Sequence, residues 1–219
     1  MKIKLISILS SLALLFSFLV PSFSFAMEEP TSIESVEENN IVLDTDDLDS
    51  TELNDIDWNS IPIEKNEEVE EEPQIQPRIL GLVARVVWIG GKQVIKWGSK
   101  TFKKAPKSKV TNALSTFKTA TYKAGNHTFK LTKTDMKHML ERHHPEYWNG
   151  TVKGTQTFYN PNLSVNGVKD VAISVAKQNS KILAKKGTNS TFQVEGTVNG
   201  VRYVLGITKG HIRQLYPKN

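Results

Sequence analysis

The clearest alternation of apolar and polar residues lies at the C-terminal end of the chain. Three strand-like segments, 192–198, 201–208 and 211–216, are separated by Asn199-Gly200 and Lys209-Gly210. Asn-Gly between alternating residues is the strongest short-range signal for a β-hairpin, and Lys-Gly is a weaker one. The pattern predicts a three-stranded antiparallel meander.

An amphipathic helix is predicted further upstream. Thr132 or Thr134 can cap its start, and Asp135 suits the positive end of the helix dipole. Apolar residues then recur at three-to-four spacing up to about His144, where Pro145 stops the helix. We therefore expect a helix whose last turn is rich in histidine and arginine.

A second helix is predicted between Ser164 or Asn166 and Gly187, because basic residues precede the glycine. Residues 156–159, between the two helices, are typical of a short strand. Helix, strand, helix and meander follow one another within 110–219, an order typical of α+β domains. The predicted fold class is α+β: two helices packed on a small antiparallel sheet that ends in the meander.

The first 26 residues have the pattern of a secretory signal peptide. Lys2 and Lys4 precede an apolar run over 5–20, and Ser24-Phe25-Ala26 has the small residues of a cleavage site. An uncleaved anchor is the alternative, although this run is shorter than the ~20 apolar residues of a spanning helix. We expect a secreted protein, and one whose core must hold without disulfides because the chain has no cysteine.

The rest of the chain divides into two oppositely charged parts. Residues 27–76 contain 18 Asp and Glu against a single basic residue, Lys65, whereas 77–219 contain 25 Lys and Arg against five acidic residues. Low hydrophobicity and self-repulsion predict a disordered acidic leader over 27–76. The leader is either a solvating spacer or a mask that contacts the basic domain and imitates a phosphate backbone.

Residues 77–109 are predicted to be a basic amphipathic linker between the leader and the C-terminal domain (110–219). Apolar residues alternate with Lys and Arg over 78–104, and Gly90-Gly91 interrupts them. Two short amphipathic helices around the glycine pair fit this composition. Such a stripe is either a packing face or a surface for transient contact with an anionic membrane.

Candidate catalytic residues lie on the first predicted helix. A helix advances about 100° per residue, which centres its buried stripe on Met136 and Leu140. His138 and Arg142 then lie side by side on the opposite face, at about 200° and 240° from Met136. Their one-turn spacing is typical of a general base beside a phosphate clamp. His143 points into the stripe, where it either orients the helix end or takes part in the reaction.

A second set of candidates lies on the predicted meander. An alternating strand presents His211 with Arg213 and Thr208 nearby, which makes His211 a candidate general acid. Residues predicted to bind substrate through charge or hydrogen bonds are Lys137, Thr208, Lys209, Arg213 and Tyr216.

A metal site is the alternative to an acid/base site. Arg142-His143-His144-Pro145 is similar to the His-His element of ββα-metal nucleases, and paired imidazoles bind divalent ions. The basic part has few acids, however, and adjacent histidines on a helix diverge by about 100°. We therefore expect no metal and no other cofactor.

Metal-free RNA cleavage fits the residues that remain. His138 would take the proton from a 2′-hydroxyl, His211 would protonate the leaving 5′-oxygen, and Arg142 would hold the phosphate. The expected product is a 2′,3′-cyclic phosphate, and the basic domain would bind the RNA in a salt-dependent way.

Several segments carry a resemblance to a known family. They are HMLERHHPEYW over 138–148, Phe158, the helix end at Gly187, GVRYVLG over 200–206 and QLYP over 214–217. Over about 127–219 the chain resembles a family of secreted toxins of Gram-positive bacteria, whose members join a signal peptide and a variable leader to a C-terminal toxin module.

The resemblance carries implications for site and partners. The module's order of elements is also similar to that of the metal-independent ribonucleases of the barnase, EndoU, RelE and tRNA-cleaving colicin group, which implies His138 and Arg142 on the helix, His143 in support and His211 on the last strands. Such toxins meet an immunity protein, here expected to be acidic. Two other functions stay open: a membrane-active toxin acting through 78–104, and a non-catalytic binder of anionic cell-wall polymers.

Overall fold

The computed structural model describes residues 56–65, 84–153 and 156–218. The predicted signal peptide and most of the predicted leader lie outside these ranges. The strands are β1 (Ile63–Glu64), β2 (Arg85–Ile89), β3 (Lys92–Trp97), β4 (Lys100–Phe102), β5 (Ala120–Ala124), β6 (His127–Leu131), β7 (Thr191–Val198), β8 (Val201–Thr208) and β9 (His211–Pro217), and the helices are α1 (Lys107–Ala113), α2 (Lys133–His143), α3 (Val165–Gln178) and α4 (Ser180–Lys186).

Six strands form the main sheet, in the order β1-β7-β8-β9-β6-β5. Strands β7, β8 and β9 are the predicted antiparallel meander. Strand β1 runs parallel to β7, and β6 joins β9 in parallel through the pair Lys130 and His211. Helices and a largely antiparallel sheet occupy separate stretches of the chain, and the predicted α+β class is confirmed.

The turns of the meander form where the sequence predicts them. Asn199 and Gly200 have φ of 51° and 75°, and Lys209 and Gly210 have φ of 46° and 75°. Positive φ at both central residues is the geometry of the tight hairpin turn that matches the twist of the strands. These local signals fix the register of β7, β8 and β9.

Helix α2 has the predicted cap and end. The Thr132 hydroxyl accepts a hydrogen bond from the Asp135 backbone N–H, and the Asp135 carboxylate accepts one from the Thr132 N–H, which completes a capping box. The helix ends at His143, two residues before Pro145. The predicted cap of the second helix, Ser164, is also confirmed.

The second helical region is divided in two, which the sequence pattern did not predict. Asn179 separates α3 from α4, and its side-chain amide donates to the backbone oxygens of Val175 and Glu195. The amide thereby ties the break to strand β7. Gly187 ends α4 with φ of 69°, as predicted.

The core lies between one face of the main sheet and the helices. Phe192 and Val194 of β7, Leu205 of β8 and Leu215 of β9 are buried in one cluster with residues of α2, α3 and α4. Because side chains alternate along a strand, the intervening residues, among them Gln193 and Gly206, belong to the opposite face of the sheet.

One expectation for the domain is wrong, and one pair of strands was missed. Residues 156–159 do not form a strand; they cross the end of α2, where the Tyr159 N–H donates to the His143 oxygen at 2.7 Å. Strands β5 and β6 precede α2 and were not predicted. Each has only five residues with few large apolar side chains, which gives a weak signal.

The predicted helices of the basic linker are also wrong. Residues 85–102 form a separate antiparallel sheet, β2-β3-β4. Gly90 and Gly91 have φ of 57° and 73°, which suits a hairpin turn and ends any helix. Ile95 packs with Trp148 and Phe158 in a second small core. Within the described ranges, no helix has both the length and the apolar character needed to cross a membrane.

Candidate active site

A fully buried carboxylate, Asp135, joins helix α2 to strand β9. Its Oδ1 accepts a hydrogen bond from Arg213 Nη1 at 2.7 Å, and its Oδ2 lies 3.3 Å from His211 Nδ1. Oδ2 also accepts hydrogen bonds from the N–H and hydroxyl of Thr132, at 2.9 and 2.7 Å. The carboxylate that caps the helix therefore also holds two predicted site residues of β9 in place.

His138 lies one turn along α2 from Thr134 and is partly buried. Burial first, and then the charge of Arg142, lower the pKa of His138 to about 4; Asp135 acts in the opposite direction, and Arg213 and Lys153 add smaller lowering effects. The imidazole is therefore neutral near neutral pH, the state a general base needs. Lys137 is not among the charges that act on it.

The guanidinium groups beside His138 have unused hydrogen-bonding capacity. Arg142 Nε and Arg213 Nε are both buried, and within the described residues neither has a hydrogen-bond partner. Burial also lowers the pKa of Arg142 from its ordinary value. Gln156 Nε2 donates to the Arg142 backbone oxygen, which fixes the end of α2. Unpaired N–H donors on two cations are suited to an anionic group such as a phosphate.

His143 is buried and tied to its surroundings on both sides. Its Nδ1 donates to the Thr157 oxygen at 2.8 Å, and its ring stacks on Tyr216 with 5.6 Å between centroids and an interplanar angle of 23°. Burial lowers the pKa of His143 to about 3 in spite of the bond to Thr157. The ring is thus neutral and orients the end of α2 against β9.

His144 has a structural role. Its Nε2 donates to the Leu163 oxygen at 2.8 Å, and its Nδ1 accepts from the Glu146 N–H at 3.1 Å. Both ring nitrogens are used, so the proton lies on Nε2. With His143 and His144 each bound to separate backbone groups, the pair does not converge on one point.

The predicted site residues fall into two groups. His138, Arg142 and Arg213 lie close enough for their charges to interact, and Asp135 links them to His211. We call these five residues the α2–β9 cluster. Thr208 pairs with His211 across the strands, and its hydroxyl is hydrogen-bonded to that of Thr191. Outside the cluster lie Lys137, which is partly exposed on α2, and Lys209, which is exposed in the β8–β9 turn.

Tyr216 connects His143, at the end of α2, to the face of the main sheet that carries Gln193. It stacks on His143, and its hydroxyl donates to Gln193 Oε1 at 3.3 Å. Gln193, Gly206 and Gln214 are neighbours across β7, β8 and β9, and their side-chain positions share one face. We call these three residues the glutamine row.

A segment of the predicted leader covers the glutamine row. Gln193 Nε2 donates to the backbone oxygens of Trp58 and Ile61, at 2.5 and 2.9 Å, and the Trp58 ring lies over Gly206. Beyond it, β1 pairs with β7, and Glu64 forms an ion pair with Lys186 at 2.7 Å. Residues 56–64, predicted to be disordered with the rest of the leader, are therefore placed against the domain.

Several residues of this region were not predicted as site residues. Asp135 has a signal in the sequence, since Thr132 and Asp135 have the spacing of a capping box, but that signal indicates only a helix start. Gln193 and Gln214 lie on ordinary strand positions, and Trp58 lies 135 residues before Gln193 in the chain. Nothing local in the sequence marks these three residues.

In the part of the chain that the structure describes, no group of three or more His, Cys, Asp or Glu side chains is placed to hold a metal ion. Comparison of the chain with protein-family models, with curated proteins and with solved structures gave no match. The geometry of the cluster therefore carries the functional argument.

Proposed function

We propose that the chain is a secreted antibacterial toxin whose C-terminal domain cleaves RNA by acid/base catalysis without a metal. The observation that carries this proposal is a neutral imidazole, His138, next to two cations, Arg142 and Arg213, that have unpaired buried N–H groups. A base beside unsatisfied cationic donors is what attack on a phosphodiester requires.

The proposed reaction assigns a role to each residue of the cluster. His138 removes the proton from the ribose 2′-hydroxyl, whose oxygen attacks the adjacent phosphorus. Arg142 and Arg213 stabilise the charge that develops on the phosphoryl oxygens. The bond to the 5′-oxygen breaks, and protonated His211 donates a proton to this leaving group, which yields a 2′,3′-cyclic phosphate and a free 5′-hydroxyl.

Asp135 supports this assignment from the other side of the cluster. Its carboxylate lies 3.3 Å from His211 Nδ1 and orients the imidazole, and its bond to Arg213 Nη1 fixes that side chain. A carboxylate on one ring nitrogen fixes the orientation of the imidazole and leaves the other nitrogen for proton transfer. Asp135 is thus a positioning residue.

The charge of the domain supports an RNA substrate and an acidic partner. Residues 77–219 contain 25 basic residues and only five acidic ones. This excess of positive charge favours binding of a polyanion with strong salt dependence. An immunity protein that blocks this surface would need the opposite charge.

The test uses the chain from residue 27 onward, incubated with bacterial RNA with and without EDTA. We expect His138→Asn to slow cleavage by about 10²–10⁴-fold, the usual contribution of a general base. His127→Asn is the matched control, because His127 lies at the start of β6, where its ring is next to Gly187. Both substitutions are also made in a Trp58→Ala background, so that the covering segment does not hide activity. Equal cleavage by His138→Asn and His127→Asn, or loss of cleavage in EDTA, would refute the proposal.

Contact with anionic membranes is a second candidate function, favoured by the tip of the β2–β3 hairpin. Trp88 is 70% and Ile89 50% exposed, and Lys92 follows the turn. Exposed aromatic and aliphatic side chains beside basic residues suit the interface of an anionic bilayer. Binding to phosphatidylglycerol vesicles is the measurement that decides it.

A further inference from the structure

The polar face of the main sheet has a slot over Gly206. A Cβ added to this glycine would lie 2.5, 2.8 and 2.9 Å from carbons of the six-membered ring of Trp58. Only glycine, whose side chain is a hydrogen atom, leaves room for an aromatic ring this close to the strand backbone. The glycine therefore makes a flat place on the sheet where an aromatic ring lies directly on the backbone.

Polar groups suited to the edge of a planar ligand flank this slot. Gln193, on β7, donates both of its amide hydrogen bonds to backbone oxygens of the leader segment. On the other side, Gln214 Oε1 is buried and has no hydrogen-bond partner among the described residues. A buried acceptor left unpaired is destabilising, so a ligand that donates to it gains affinity. The leader segment thus fills the slot without satisfying every polar group around it.

The slot lies next to the α2–β9 cluster. Gln214 directly follows Arg213 in β9, and Tyr216 bonds to Gln193 while it stacks on His143. Tyr216 contacts both regions, so a nucleotide held beside His143 at the end of α2 would have its base near the slot. Glutamine side chains offer both a donor and an acceptor to a base edge.

The segment around Trp58 is joined to the domain by hydrogen bonds, a short strand pairing and an ion pair. The Trp58 side chain is partly exposed, and the segment around it is bound through the Gln193 amide, two residue pairs of β1 and the ion pair between Glu64 and Lys186. The ion pair is partly exposed, with Lys186 at 35% and Glu64 at 29%, so it contributes little to docking. We expect a competing ligand to displace the segment.

We propose that the slot over Gly206 is a nucleobase subsite of the RNA substrate, and that Trp58 occupies it in the intact chain as an internal competitor. The inference rests on the proposed function, because it names the part of RNA that this face recognises. The indole takes the place of the stacked base, and the peptide oxygens of Trp58 and Ile61 take the place of acceptors on its edge.

The experiment measures binding of the four nucleoside 3′-monophosphates to the chain from residue 27 onward by calorimetry, with inorganic phosphate as the probe for charge alone. Trp58→Ala opens the slot, and Trp88→Ala is the matched control because Trp88 lies exposed on the β2–β3 hairpin. Removing a stacked competitor should tighten binding of at least one nucleotide by about tenfold or more. Phosphate should bind all three chains equally.

A third variant separates the subsite from simple unmasking. In Gly206→Ala the added Cβ occupies the position of the indole, so the leader segment is displaced and becomes sensitive to protease, yet the slot is closed to a base as well. We expect faster proteolysis around residue 58 without tighter nucleotide binding. Tighter binding in Gly206→Ala than in wild type would overturn the subsite.

The outcomes distinguish this inference from the proposed function. Tighter nucleotide binding by Trp58→Ala, together with chemical-shift changes at the Gly206 amide, supports the subsite. If no variant cleaves RNA, the proposed catalysis is refuted, but this binding result still supports the subsite. RNA cleavage that depends on His138, with equal nucleotide binding by Trp58→Ala and Trp88→Ala, would overturn the subsite alone.

Discussion

Replacing Asp135 by Asn tests whether the buried carboxylate holds α2 and β9 together. Asparagine keeps the size of the side chain and an oxygen that can accept from Thr132, but it removes the negative charge. Arg213 is only 3% exposed, so its guanidinium would then lie buried without an anionic partner. Breaking a buried ion pair in this way costs about 3–5 kcal/mol. That is a large part of the about 5–15 kcal/mol that stabilises a domain.

The assay is urea unfolding at neutral pH, followed by circular dichroism. With a slope of about 1–3 kcal/mol per molar urea, Asp135→Asn should lower the unfolding midpoint by at least about 1 M. Asp170→Asn is the matched control, because the Asp170 carboxylate is 70% exposed and its contact with Lys169 is 3.3 Å long. Its free energy of unfolding should change by no more than about 0.5 kcal/mol.

A double variant separates the ion pair from the other bonds of Asp135. Arg213→Met removes the buried cation, so Asp135→Asn should cost less in this background than in wild type, by about 2 kcal/mol or more. Equal costs in the two backgrounds, or an Asp135→Asn chain as stable as Asp170→Asn, would refute the reasoning that the carboxylate is needed to balance Arg213.

The remaining predictions concern pH and membranes. Burial lowers the pKa of His143 from the ordinary 6.5 to about 3, so between these values the unfolded chain binds a proton that the folded chain does not. The free energy of unfolding should therefore fall as pH drops below about 6.5, by up to about 1.4 kcal/mol per pH unit from this histidine. Urea titrations at successive pH values measure this fall. If His143→Gln shows the same dependence of unfolding free energy on pH, His143 is not its cause. Trp88→Ala should weaken binding to phosphatidylglycerol vesicles in a flotation assay, whereas Trp58→Ala should not, and equal binding by both would rule out the hairpin tip as the contact.

The elements predicted correctly are those specified by a few adjacent residues. Thr132 and Asp135 define the start of α2, and Asn199-Gly200 defines a hairpin, because a cap or a turn depends on the backbone within four residues. The basic stretch over 85–102 was misassigned because its apolar and charged residues alternate without one dominant period. Only the turn at Gly90-Gly91 distinguishes a β-hairpin from a pair of helices in this stretch.

The candidate site was predictable in part for the same reason. Helical spacing places His138 beside Arg142, and the hairpin places Thr208 opposite His211. The partners that decide their chemistry are distant: Asp135 and Arg213 are 78 residues apart, and Trp58 and Gln193 are 135 apart. Pairings of that range depend on how helix and sheet pack, which one sequence does not encode locally.

The pairing of β1 with β7 has a consequence for the order in which the molecule is completed. Glu64 reaches Lys186 across 122 residues, and the ring of Trp58 has no surface to rest on until Gly206 has been synthesised. Contacts between distant parts of a chain form slowly, and here both halves must exist first. The surface around Gly206 must therefore form before the Trp58 ring can dock on it, although Trp58 comes first in the chain.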